Sequence, residues 1–147
     1  MQVLFLHPNF PAQFRDLAGL LASNPSNQVI FGTKNETVTF GNINKVIYQE
    51  NGQVSPKTHR YVQILESAVW QGQAVYRMAA ALKNQGFNPD IVLAHSGWGP
   101  GMFIKDIFPD TKYLCYFEWF YNAYGTDADF DPEDPLNEDT AAKMRVN

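Results

Sequence analysis

At 147 residues, 45% of them hydrophobic and 18% charged, the chain has the make-up of one globular domain, which excludes a disordered or fibrous protein. Eleven basic against fifteen acidic side chains leave a net charge of −4 and no basic stripe, so a nucleic-acid surface is not expected. A single cysteine excludes an internal disulfide and, with neither a basic leader nor a membrane-length apolar run, predicts a cytoplasmic protein without a transmembrane segment.

Val3-Leu-Phe-Leu6 is a continuous apolar run that predicts a first buried strand near residues 2–7. His7-Pro-Asn-Phe-Pro11 is its turn. Pro11 suits a first helical turn, where its missing N–H would be unpaired anyway, and the helix should run from Ala12 to about Ala22. Phe14, Leu17, Ala18 and Leu21 share one stripe of it. Further strands are expected near residues 27–31 and 45–49, and the polar stretch Gly32 to Asn44 fits either a hairpin or a loop. Ser55-Pro56 carries the N-cap and first-turn signals of the longest helix, which should extend to about Gln85. Tyr61, Ile64, Leu65, Ala68, Gly72, Val75, Met78, Ala79 and Leu82 fall on one face of that helix. Gly86 supplies a left-handed stop, and Phe87 the apolar residue that folds back over it. Trp70 lies opposite the stripe and is expected under a loop.

Asp90-Ile-Val-Leu-Ala-His95-Ser-Gly-Trp-Gly-Pro-Gly101 then reads as a buried strand (residues 90–94), a glycine turn, and a helix over Met102–Phe108. His95 stands where the strand gives out. In open α/β sheets ligands collect beyond the carboxyl ends of strands, so His95 is placed at that edge, partly accessible, near His7 and Glu118. The competing reading is a glycine turn chosen for its geometry alone, with His95 capping a helix. A fifth strand follows near residues 112–117, and in it Cys115 should be a buried, inert thiol. An acidic stretch from Asp127 to Asp139 precedes a helix-forming segment, Thr140–Asn147, that has no stop signal. The alternation predicts an α/β, Rossmann-like fold: a predominantly parallel sheet with helices on both faces.

Several chemistries lack their residues. No G-x-G-x-x-G or P-loop pattern follows a strand, which sets aside dinucleotide and ATP sites of those types. No nucleophile elbow accompanies His7, His59 or His95. Asp127, Asp129, Asp131, Glu133 and Glu138 have EF-hand spacing, but Pro132 holds the position that needs glycine, so a solvated acidic loop is expected rather than calcium. Glu118, directly after a strand, is placed for acid/base work. Trp119, Phe120, Tyr121 and Tyr124 beside it are suited to stacking on a sugar face or to burial in the core.

His7-Pro-Asn-Phe-Pro-Ala-Gln-Phe14, Thr58-His-Arg-Tyr61, Leu65-Glu-Ser-Ala-Val69, Gly72-Gln-Ala-Val75, Pro89-Asp-Ile-Val92, His95-Ser-Gly-Trp-Gly99, Phe108-Pro-Asp110, Tyr116-Phe-Glu-Trp-Phe-Tyr121 and Phe130-Asp-Pro-Glu133 occur in that order. Together they resemble one group of family 4 glycosyltransferases. The resemblance implies the first, acceptor-side half of a two-domain GT-B fold. The second, donor-binding domain, with its glutamates seven residues apart, has no counterpart here, so residues 1–147 are expected to be one domain of a larger enzyme. It further implies a retaining, metal-independent transferase with no cofactor. A nucleotide-sugar would be the donor, a saccharide or glycolipid the acceptor, and the protein cytoplasmic or peripheral to the inner face of a membrane. His95 would be catalytic, bonding a sugar hydroxyl or stabilising charge. Phe10, Pro11, Arg15, Gly97, Trp98, Gly99 and Glu118 would bind substrate, although Arg15, one turn into a helix, also reads as a surface charge. The alternative is a stand-alone α/β ligand-binding module that catalyses nothing.

Overall fold

The computed structural model describes residues 1–118 and 122–146. Five strands, β1 (Gln2–Leu6), β2 (Gln28–Thr33), β3 (Asn44–Ile47), β4 (Ile91–His95) and β5 (Lys112–Tyr116), form one sheet in the order β3-β2-β1-β4-β5. All four pairings are parallel. Leu4 sits at the centre, in register with Ile30 on one side and Val92 on the other. Its run of apolar neighbours is buried on both faces, as parallel strands require. Each such side chain withdrawn from water contributes about 1.5–3 kcal/mol.

One face is covered by α2 (Gln63–Asn84) and the single-turn α3 (Ile104–Ile107), which enclose Leu4, Leu6, Ile30, Val75, Met78, Val92, Ala94 and Phe108. On the other face α1 (Arg15–Ala22) packs over Val3, Phe5, Val29, Phe31 and Leu93. There the connection between β2 and β3 has no helix. It is a loop, not a hairpin, and its Phe40 and Ile43 pack on that second cluster. β5 is one of the two edge strands, and its Leu114 and Tyr116 remain exposed. Cys115 is half-buried rather than sealed in the core.

The helix boundaries show where local signals were overruled. Ser55-Pro56 makes a turn instead of starting α2: Ser55 Oγ accepts the Lys57 N–H, and Ser55 N–H donates to Glu66 Oε1. The cap falls to His59, whose ring accepts from Tyr61 N–H to open a 3₁₀ turn (Arg60–Val62) ahead of α2. Ile64 and Leu65, placed on the buried stripe by periodicity, are about half exposed because the sheet does not reach the start of the helix. Leu17 of α1 is likewise exposed. The first turn after Pro11 is 3₁₀ (Ala12–Phe14), and the helix expected over Met102–Phe108 shortens to α3. The far end of α2 closes as expected. Gly86, at φ +89°, donates to Lys83 O, and Phe87 donates to Leu82 O and is buried. Trp70 lies under residues 50–56, so close that a Cβ on Gly52 would stand 2.5 Å from its ring. The last helix, α4 (Glu138–Met144), is capped by Asn137 and docks on the 3₁₀ turn before α2. There Tyr61 Oη donates to Asp139 at 2.7 Å and Arg60 pairs with the same carboxylate. No helix among the described residues is long and apolar enough to cross a membrane.

Candidate functional site

The chain adds β2 and β3 to one side of β1, then returns to place β4 on the other. That reversal falls at the carboxyl ends of β1 and β4, the place where open α/β sheets form the crevice that takes ligands. His7 and His95 stand there, one step past the Leu6–Ala94 pair. Their rings meet edge to face, with centroids 4.9 Å apart.

The loop carrying His7 is pinned from below. His7 N–H donates to Gly32 O, while Thr33 Oγ1 and Lys34 N–H both donate to Pro8 O. His7 Nδ1 accepts the Asn9 N–H at 2.9 Å. Burial foremost, then the charge of neighbouring His95, pushes the His7 pKa down to about 4, so the ring is neutral at neutral pH.

His95 has both nitrogens engaged. Nδ1 accepts the Gly97 N–H at 3.1 Å, which puts the proton of the neutral ring on Nε2. Nε2 in turn donates to Glu118 Oε2 at 3.1 Å. The partial accessibility expected of His95 is therefore corrected: it is only 5% exposed. Trp98 lies nearly parallel to it at 6.5 Å and Tyr116 tilts against it at 6.0 Å, so the ring sits behind an aromatic wall. What solvent meets at this edge is Glu118, whose side chain is 47% exposed. Its second oxygen accepts from Gln13 Nε2 at 2.7 Å. That bond, then the one from His95, holds the Glu118 carboxyl below its ordinary range and keeps it ionised. The arrangement is a fixed, half-exposed carboxylate backed by a buried imidazole and bordered by the exposed rings of Trp98, Tyr116 and Phe117.

The turn after β4 is shaped by its glycines. A Cβ on Gly97 would stand 3.0 Å from His95 Cε1. Gly99, at φ +83°, lies so close to α2 that a Cβ would fall 2.3 Å from Ala68 O.

Of the residues named from sequence, His95, Gly97, Trp98, Gly99 and Glu118 come together at this edge. Phe10 does not face solvent. It is 5% exposed and packs edge-on against Phe31, within the second hydrophobic cluster. Arg15 lies over the Phe40 ring at 5.1 Å, and Pro11 is half-buried beside the 3₁₀ turn. Trp119, Phe120 and Tyr121 fall outside the described residues, and Tyr124 is exposed. Gln13 was missed. It stood in the quoted His7–Phe14 segment, but nothing in a surface glutamine announces a partner 105 residues away.

Among the described residues no three metal-ligating side chains converge. In the acidic stretch Asp129 accepts from the Gly125 and Thr126 N–H groups and Asp131 from that of Glu133, so these carboxylates brace their own turns. A separate cleft of about 690 Å³ opens between residues 50–56 and α2, lined by Glu50, Gly52, Gln63, Ser67 and Trp70 among others. It contains none of the site residues expected from sequence, and His7, His95 and Glu118 act on one another at the β1–β4 edge instead.

A family model described as a glycosyl transferase family 4 group matches residues 25–147. The match includes His95, Glu118 and the glycine turn but not the His7–Phe14 segment. No curated protein matches the chain.

Proposed function

The chain belongs to the glycosyl transferase family 4 group, and from that premise we propose that it is the acceptor-side domain of a retaining glycosyltransferase. It would act with a second domain to move a sugar from a nucleotide-sugar donor to a saccharide or lipid-linked acceptor, without a metal ion or cofactor. The observation that supports this reading is the His95–Glu118 pair at the reversal in strand order. A sugar hydroxyl both donates and accepts. Entering between the two groups, it would accept from His95 Nε2–H and donate to the ionised Glu118 carboxylate, replacing their 3.1 Å bond with two. Trp98, half-exposed alongside, offers an apolar face to the C–H groups of the same ring. Fixed polar groups of this kind act on charge that develops in the transition state without having to reorganise. Gly97 and Gly99 keep the turn close enough for the pair to form. Pro11 and Arg15, after β1, would lie on the acceptor's approach. Such a transferase would work in the cytoplasm or at the inner face of a membrane.

The test uses a protein that carries both domains, located by reading the DNA downstream of Asn147 and screened against nucleotide-sugars. His95→Ala should lower turnover by about 10²-fold or more, the scale of removing a preorganised group. Glu118→Gln alters a half-exposed side chain, so it should lower turnover while lowering the melting temperature only slightly. Unchanged turnover in both variants would refute the site.

A further inference from the structure

His7 holds a hydrogen-bond donor that the fold does not use. The Asn9 carbonyl also lies 3.1 Å from Nδ1, but the Asn9 N–H at 2.9 Å is a fixed donor, and it decides that Nδ1 accepts. The proton of the neutral ring is then on Nε2. That nitrogen is buried and has no hydrogen-bond partner among the described residues. Buried donors left unmade are rare in folded chains and point to a partner that arrives later. Since Nδ1 turns back to its own loop, Nε2 is on the opposite edge of the ring, which packs against His95 at the β1–β4 end and feels the Glu118 charge.

We propose that His7 is a specificity-determining residue of the sugar site. Its Nε2–H is the donor for an oxygen of an uncharged, hydroxyl-bearing ring seated over the β1–β4 junction beside Glu118. The inference rests on the reading of the chain as a sugar-transferase domain and adds which part of the substrate the crevice accepts. A phosphate oxygen only accepts hydrogen bonds at neutral pH and would meet the negative Glu118. A hydroxyl satisfies the His7 donor and the Glu118 acceptor together. The basic residues on flanking elements are committed elsewhere: Arg15 lies over Phe40, and Lys45 Nζ donates to the carbonyls of Asn35, Glu36 and Val38. The neutral state of His7 fits the same role, because the ring carries no positive charge to offset the repulsion between Glu118 and an anion. The crevice therefore takes the hexose end of a donor or the hydroxylated end of an acceptor, not a diphosphate.

The chain has three histidines, so ring-nitrogen NMR of the ¹⁵N-histidine-labelled protein resolves them individually. The probes are the methyl glycosides of glucose, galactose and mannose and, separately, inorganic pyrophosphate. At least one hexoside should shift the His7 Nε2–H signal, and pyrophosphate should leave it unmoved. His7→Phe keeps a ring but removes the donor and should weaken hexoside binding about tenfold, the usual scale for one neutral buried hydrogen bond. His7→Gln places an amide N–H near the same point and should recover part of that loss. If His7→Phe does not fold, the shifts in the unmodified protein decide alone. A hexoside that moves the His95 ring signals but not those of His7, or equal binding by His7→Phe, would overturn the proposal and leave the transferase reading standing. A shift of His7 with pyrophosphate would do the same. No response to any hexoside anywhere in the protein would overturn both.

Discussion

Replacing Gly99 by alanine tests how the site is held against the helix beneath it. Two costs are expected. The first is conformational: at φ +83° an L-residue is disfavoured by about 1–2 kcal/mol. The second is steric. The new Cβ would stand 2.3 Å from Ala68 O and 2.7 Å from Ala68 Cα, and these are backbone atoms of α2 that no rotamer change can move away. The turn and helix must separate, and overpacking of this kind costs about 1–3 kcal/mol. The sum, about 2–5 kcal/mol, is a large part of the roughly 5–15 kcal/mol that holds an ordinary domain together. Gly86→Ala is the internal control, because Gly86 has φ +89° but nothing within 4 Å of its added Cβ. It should show the conformational cost alone. Urea unfolding of the three proteins, followed by far-UV circular dichroism, gives both differences. If Gly99→Ala loses no more stability than Gly86→Ala, the turn is not pressed onto α2 and the account of how His95 is positioned fails.

Stability should also depend on pH through His7. Its pKa falls from 6.5 in the unfolded chain to about 4 in the fold, so between those values the unfolded state binds more protons. The native state is therefore unpenalised above pH 6.5 and loses stability progressively as pH falls from 6.5 to about 4, the full loss of about 3 kcal/mol being reached below that. Glu118 and Asp139, whose pKa values are lowered, act in the same direction. His7→Phe should show a shallower acid loss than the unmodified chain, and identical pH profiles would contradict this. Calcium or a chelator should leave the melting temperature unchanged, since Asp129 and Asp131 cap backbone N–H groups; a rise of several degrees with calcium would refute it. Residues 1–147 alone should show no transferase activity in a donor screen, and micromolar nucleotide-sugar binding by calorimetry would count against an acceptor-side domain.

The strands, the glycine stop of α2 and the placing of His95 at a strand end were legible in the sequence because each is a local property. An apolar run, a left-handed glycine followed by phenylalanine, and a strand that ends in a glycine turn need no distant partner to be recognised. The start of α2 misled for the same reason. Ser55-Pro56 is a sound cap by local rules, but Ser55 is held as a turn by Glu66, eleven residues away, and His59 opens the helix instead. The loop from β2 to β3 had no periodicity to read, yet its Phe40 and Ile43 cover part of one face of the sheet.

The site itself was decided by tertiary structure. Sequence put His7, His95 and Glu118 at the same edge, but strand order made β1 and β4 neighbours and brought the two rings to 4.9 Å. Gln13 reached Glu118 only through that closure. Burial then changed the roles the residues had been given. Phe10 went into the core, and His95 became a ring with both nitrogens engaged behind an exposed glutamate. Residue types and local patterns fix which elements form and where each ends. Which side chains share a space, and which of their donors are left over, depends on the packing of segments about a hundred residues apart, and those contacts leave no periodic trace along the chain.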